Sequence, residues 1–337
     1  MRERPEKPEG PPAFPLRLPK KIGGIFGSFD LWVENLSEGR FSVLLLSPLI
    51  IFLIAIIGIP IARTIWLSLH QYLPARPWME YKFIGLVNYV SLLRDPAFMK
   101  SLIHSFYFTV LNIILMLLLA IPAALLVSRE FRGRIAVRTI LLLPWAVPIA
   151  VAGTTFKFMY NGEYGVINYL LKSIGIIKEY VPWLMSYDHV FDWMYSSTAM
   201  NAIISAAVWR TLPFSILMIL AALESIPPDY YKMAKVNGAN SWQIFRHVTF
   251  PLILPGITIV VLWRAITAMR IYGIIDSMTA GGPGRITETL QILTIRTFFV
   301  SRDLGKGTAM AVMTMLFTLV FIIFYLALLQ YVQRKRR

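Results

Sequence analysis

Apolar residues in this chain do not recur at the spacing of an amphipathic helix or a half-buried strand. They gather in predominantly apolar blocks of about 20 residues or more, enough to cross a hydrocarbon core of roughly 30 Å as helix. Six blocks stand out, at 42–67, 104–127, 135–158, 199–223, 252–272 and 308–331. They predict an all-α, polytopic membrane protein with six transmembrane helices, because in lipid every backbone polar group of a helix is satisfied inside its own segment. Prolines fall inside the third block (Pro144, Pro148), the fourth (Pro213) and the fifth (Pro255). Membrane helices tolerate proline where neighbours satisfy the freed carbonyls, so each block is read as one span.

Composition supports this pattern. Of 337 residues, 57% are hydrophobic and 15% charged, with a mean hydropathy of +0.62; a soluble domain carries about 25% charged residues. Residues 1–40 differ, being rich in Pro, Lys, Arg and Glu. That stretch cannot bury a core and is expected to be a flexible basic tail ahead of a membrane domain at 41–337. It does not read as a signal peptide, because its basic region is too long and no cleavage pattern follows the first apolar block. Residues 22–29 read either as a surface-lying segment or as plain linker.

Charge sets the expected orientation. A dense basic set comprises the tail and Arg40, then Arg129, Arg132 and Arg134, then Lys232, Lys235 and Arg246, then Arg334 to the end of the chain. The opposite loops carry Arg76, Lys82, Arg94, Lys100, Lys172, Lys178, Arg285, Arg296, Arg302 and Lys306 over longer stretches. The denser set is expected to be cytoplasmic, which places both termini and residues 224–250 inside. The net charge of +15 then reflects loops facing anionic membrane lipid. Nucleic acid is not expected as a partner, since no basic stretch is interleaved with stacking aromatics. With no cysteine and four scattered histidines (His70, His104, His189, His247), the chain offers no disulfide, thiolate or metal pair. Catalytic and metal-ligating residues are therefore expected to be none.

Residues 224–250 are the most informative. Pro227 and Pro228 stop the fourth span, and Pro228 suits the first turn of a new helix, whose positive end Asp229 favours. That helix should reach about Val236, with Gly238 supplying the left-handed break at its end. Asn240 or Ser241 can cap a second short helix through Phe245, and Pro251 marks the start of the fifth span. Two short helices with a tight bend form a knob suited to a groove on a soluble partner. They equally describe an amphipathic loop lying on lipid, and residue patterns alone leave both readings open.

The segment resembles the EAA loop of binding-protein-dependent ABC importer permeases of the carbohydrate-uptake type. Their pattern is roughly Y-E-A-A-x-x-D-G-A followed by L-P-x-x-x-P. Here it reads Tyr231-Lys232-Met233-Ala234-Lys235-Val236-Asn237-Gly238-Ala239, with Trp242, Phe245, Pro251 and Pro255 downstream. The usual glutamate is Lys232, the next alanine Met233 and the usual aspartate Asn237, so the partner is expected to present different charges. The resemblance extends through Phe83-Ile84-Gly85-Leu86-Val87-Asn88-Tyr89, Asp95-Pro96-Ala97-Phe98, Leu143-Pro144-Trp145-Ala146-Val147-Pro148, then Asn161, Gly165, Asn168 and Tyr169, and Thr279-Ala280-Gly281-Gly282-Pro283. Each motif is weak alone, and their order and spacing together are specific. The likeness is to maltose, trehalose and glycerol-phosphate permeases.

That resemblance implies a multi-pass protein of a prokaryotic inner membrane, without enzymatic activity of its own. It implies a second homologous permease, a dimer of ATPase subunits that bind ATP and Mg, and an extracytoplasmic solute-binding protein. This chain is expected to hold no cofactor, and it contains no G-x-x-x-x-G-K-[ST] loop. The coupling residues implied are Tyr231, Lys232, Met233, Ala234, Asn237, Gly238 and Ala239. Loops around 81–100, 160–198 and 276–306 are expected to meet the binding protein.

By similarity to the maltose permease, the small-molecule solute is expected to meet Ala207, Arg210, Thr211 and Phe214 of span four, and Ala265, Ala268, Met269 and Tyr272 of span five. Each set falls at i, i+3, i+4 and i+7, one helical face. Small residues leave room for a sugar, though helix packing alone selects them too. Arg210, Arg264 and Arg270 lie in or near spans, where cations default to function or snorkel to the interface. Arg210 would suit an anionic solute such as a glycerol phosphate, or hydrogen-bond a neutral oligosaccharide. A secondary transporter is the main rival class, and it would need coupling carboxylates within spans. Glu224 and Asp276 sit only at span ends.

Overall fold

The structure is a computed structural model that describes residues 37–74, 78, 81–185, 189–191 and 196–334. Most of the expected tail, including 22–29, lies outside the described residues. The chain divides into two units, Met1–Ile61 and Ala62–Arg337. In the first, a helix of Glu38–Leu53 runs on through a π turn, Ile54–Gly58. None of its described side chains is buried, and its surface is Leu, Ile, Val and Phe almost throughout. Water would not wet such a surface, whereas lipid or another apolar helix would cover it. The helix continues as Ile59–Ser68, so the first apolar block is the single helix α1, Gly39–Ser68.

The second unit is built on α3 (Pro96–Val127), α7 (Thr198–Glu224), α9 (Ser241–Met269) and α12 (Leu304–Arg334). Shorter elements are α2 (Val87–Leu93), α4 (Arg134–Ala146), α5 (Ile149–Met159), α6 (Val166–Ser173), α8 (Pro228–Val236), α10 (Gly273–Thr279) and α11 (Leu290–Val300). Two small antiparallel pairs, β1 (His70–Gln71) with β2 (Lys82–Phe83) and β3 (His189–Phe191) with β4 (Ser196–Ser197), lie in the connections. Among the described residues, five helices are long and apolar enough to cross a membrane, making six spans if a bent pair counts as one.

That bent pair is α4 and α5, which together cover the expected third span and break it between Pro144 and Pro148. The two helices meet at 91°. Val147 between them is extended (φ −70°, ψ 128°), as a residue before proline prefers, and Pro148 brings no N–H to continue the ladder. The fifth span also differs. The expected second short helix is instead the start of α9, which runs unbroken from Ser241 to Met269. A π turn at Phe245–Thr249 precedes Pro251, and such a wider turn gives a proline ring room without ending the helix.

Three apolar clusters hold the unit together. One joins α3, α7 and α9 through Met116, Ala120, Ile219, Ile253 and Val260. A second joins α3, α5, α7 and α10 through Phe108, Phe156, Ile203, Ile204 and Ile275. A third joins α2, α3, α11 and α12 through Leu92, Phe98, Leu290 and Met310. Close approach relies on small residues: a Cβ added at Gly256 of α9 would overlap Ala222 of α7, and one at Gly153 of α5 would lie 2.6 Å from Ser277 of α10.

Candidate coupling segment and solute-facing surface

Helix α8 is closed at both ends by its own sequence. Pro228 opens it at the first helical position behind Pro227 (ψ 133°), with Asp229 in the first turn and Lys235 in the last, each favourable to the helix dipole. At its end the Gly238 N–H donates to Lys235 (3.0 Å) and the Ala239 N–H to Ala234 (3.0 Å). This double closure needs a left-handed residue at position 238, where Gly238 has φ +75°. Asn240 then starts α9 with a capping box: its side chain accepts from the Gln243 N–H (2.9 Å), and the Gln243 side chain accepts from the Asn240 N–H (2.8 Å). The knob read from the sequence is thus one short helix, a tight turn, and the protruding start of a span.

The outer side of this knob is apolar. Met233 is 65% exposed, Val236 87% and Trp242 65%, with Tyr230 beside them. Tyr231 turns inward against the α3–α7–α9 cluster, and Ala234 and Ala239 are half-buried. Lys232, Asn237 and Gly238 are exposed. Lys232 reaches Asp229 at 2.9 Å, a fully surface pair of little energetic weight. The structure therefore brings all seven sequence-derived coupling residues onto one motif, and divides them between its inner and outer sides.

The eight residues expected to meet the solute separate differently. Ala207, Thr211, Ala265, Ala268 and Met269 are buried within this chain, Ala207 and Ala268 in the second cluster and Ala265 in the first. Arg210, Phe214 and Tyr272 are half-buried. The Arg210 Nε donates to the Val147 carbonyl at 3.2 Å, which ties α7 to the break between α4 and α5. Phe214 stacks on Trp145 (centroids 5.9 Å, 18° between planes) and meets Trp263 at 4.5 Å. Arg264 is 2% exposed; it bonds to the Asn112 side-chain oxygen and Thr267, and its guanidinium lies 5.5 Å from the Trp263 ring centroid. Arg270, at the end of α9, is exposed.

Asn112, Trp145 and Trp263 were not singled out as site residues from the sequence. Asn112 carried a signal, being a lone asparagine in the apolar run of α3, where an amide needs a partner. The two tryptophans had none beyond residue type, because their meeting depends on the bend at Val147.

At the start of α7, Tyr160 bonds to Ser205 (2.6 Å), and the loop after α5 folds around the fully buried Asn168, whose oxygen accepts from the Trp183 indole N–H (2.7 Å) and the Val181 N–H (3.2 Å). Beside it a cleft of about 870 Å³ opens between this loop and the turn after α10, lined by Tyr164, Glu163, Asp276 and Pro283 among others. In the connection beyond that turn the buried Glu288 pairs with Arg285 (2.6 Å) and Arg296. The cleft and α8 lie at opposite ends of α7.

Apolar helices long enough to cross a membrane, with the sequence-capped helix α8 between α7 and α9, define a polytopic membrane protein. Residues 116–337 match the family described as binding-protein-dependent transport system inner membrane component, and the chain belongs to that family. It is 33% identical over 292 residues to the trehalose/maltose transport system permease protein MalF of Thermococcus litoralis, covering 86% of this chain and 93% of that one. It is 35% identical over 286 residues to the sulfoquinovosyl glycerol transport system permease protein SmoG of Agrobacterium fabrum, covering 83% and 87%. The fold matches a chain of a bacterial ABC transporter involved in the import of the acidic polysaccharide alginate, with a TM-score of 0.68 at 22% identity over 88% of this chain and 96% of that one. The chain is accordingly an inner membrane component of an ABC transporter.

Proposed function

We propose that this chain forms half of the translocation pathway of an ATP-driven importer for a sugar or sugar-like solute, delivered by an extracytoplasmic binding protein. A second, homologous permease supplies the other half. Two ATPase subunits hold ATP and Mg and dock on α8. The observation that carries this reading is the exposed apolar stripe Tyr230, Met233 and Val236 on a helix closed at both ends, a shape that transmits movement to α7 and α9. Apolar stripes of this kind mark interaction sites.

The names of the relatives, trehalose/maltose and sulfoquinovosyl glycerol permeases, support a sugar-like solute. The basic segments 129–134 and 232–246 support a cytoplasmic side for α8 and both termini. The cleft near Asn168 then faces outward, where the binding protein docks. The solute passes along the face carrying Arg210, Phe214 and Tyr272, with the buried Ala207, Thr211, Ala265, Ala268 and Met269 setting the helix spacing behind it; helix movement during the cycle uncovers them.

The test is uptake by proteoliposomes holding this chain, its second permease and the ATPase, with the binding protein outside. Solute accumulation driven by internal ATP and insensitive to ion gradients is the expected result. Accumulation driven by a proton or sodium gradient without ATP would make this a secondary transporter instead.

A further inference from the structure

A second cleft lies behind α8. It holds about 810 Å³ and is bounded by the ends of α3 and α7, by α8 and by the first turns of α9. Its walls are mostly apolar and include Pro122 and Leu125 of α3 and Phe245 of α9. Two cations also line it, Arg129 just past the end of α3 and Lys235 in the last turn of α8. Both are exposed, and neither has an ion pair among the described residues. The one acid among the lining residues, Glu224, is taken by Arg138 at 2.7 Å, and Arg138 does not line the cleft. The cleft therefore carries two uncompensated positive charges beside an apolar wall.

The cleft also joins the exposed apolar surface of α3. Leu118, Pro122 and Leu126 recur every four residues, so they form one stripe along that helix, and all three are exposed. Pro122 belongs to both the stripe and the cleft. An acyl chain lying along the stripe reaches the cleft without leaving apolar surface. Its headgroup then stands where the apolar run of α3 gives way to Arg129. Trp242, exposed at the rim, is a residue type that favours that level of a bilayer. A small polar anion would meet the two cations but leave the apolar wall bare. A zwitterionic lipid would cover the wall but bring its own ammonium beside Arg129 and Lys235. An anionic lipid satisfies both, as basic pockets between membrane helices do for such headgroups.

We infer that this cleft binds an anionic phospholipid, whose phosphate pairs with Arg129 and Lys235 and whose acyl chain covers Leu125 and Phe245. Tyr231 and Lys235 line the cleft one helical turn apart, on the face of α8 opposite Tyr230, Met233 and Val236. The lipid thus ties α8 to the end of α3 and leaves the outer stripe free. The inference needs only that α3, α7 and α9 span a bilayer, and it stands apart from the importer reading. The test equilibrates the full chain, in detergent, with equal amounts of phosphatidylglycerol and phosphatidylcholine of matched acyl chains, and counts retained lipid by native mass spectrometry. Phosphatidylglycerol should be retained over phosphatidylcholine, and Arg129→Gln with Lys235→Gln should lower its retention about tenfold or more. Arg132→Gln with Arg134→Gln removes the same charge outside the cleft and should retain as much as wild type. Leu125→Trp keeps both cations but fills the apolar wall, and should also lower retention. Excess glycerol phosphate should not displace the lipid. Equal retention of the two lipids, equal loss in the two double variants, full retention in Leu125→Trp, or displacement by glycerol phosphate overturns the inference. So does loss of the lipid when the ATPase is added, which would make the cleft part of the ATPase contact.

Discussion

The side-chain oxygen of Asn112 on α3 accepts two hydrogen bonds from Arg264 on α9, one from Nε at 3.1 Å and one from Nη2. This is the polar tie between two helices that otherwise meet through Met116, Ile253 and Val260. Asn112→Leu leaves a buried guanidinium with Thr267 as its one remaining hydrogen-bond partner among the described residues, beside the Trp263 ring, and should cost about 3 kcal/mol, because a stranded buried charge loses more than the bond itself was worth. The double variant Asn112→Leu with Arg264→Met removes both partners and should recover most of that loss. Thermal unfolding of the detergent-solubilised protein checks both. Equal destabilisation by the single and double variants would refute the coupling.

Gly256 and Ala222 bring α9 and α7 into backbone proximity. Gly256→Val forces these helices apart and should destabilise by about 1–3 kcal/mol, the usual cost of overpacking. Ala222→Gly in the same chain makes room and should restore part of the loss, read as recovery of the melting temperature.

The turn between α8 and α9 should respond locally. Gly238→Ala places a side chain at φ +75° and should cost about 1–2 kcal/mol. Asn240→Ala removes the capping box and should cost about 1 kcal/mol. Both should speed hydrogen exchange in residues 228–244 and weaken association with the ATPase. Exchange in α3 and α7 should stay as in wild type.

Glu288 is 2% exposed at its side chain and lies between Arg285 and Arg296, each of which is about half exposed. Glu288→Leu removes the charge these cations share and should loosen residues 279–289, with an expected cost of about 3 kcal/mol. Arg285→Ala should cost less, because Arg296 still pairs with the carboxylate. Limited proteolysis of the segment distinguishes the two.

The helices were legible because a run of apolar residues long enough for lipid has few alternatives. The turn at Gly238 and the cap at Asn240 were legible because single residues dictate them. The break at Val147 was not. Pro122, Pro213 and Pro255 sit inside continuous helices, whereas Pro148 ends one, and apolar content is alike on both sides of each. The difference lies in tertiary partners, since at Val147 the Arg210 Nε takes the carbonyl that the helix gives up. The burial of Ala265, Ala268 and Met269 was hidden for a related reason. A single helical face can pack against its own chain or line a path, and small residues suit both.

The central claim is that α8 carries the ATPase. The chain has no cysteine, so Val236→Cys introduces a unique thiol at the most exposed point of the apolar stripe. With a photoactivatable maleimide there, and the full importer reconstituted in lipid, irradiation should yield a crosslink to the ATPase subunit whose yield changes when ATP is added. Crosslinking to lipid alone, at the same yield with and without the ATPase, would mean that α8 lies on the membrane surface and would contradict the account.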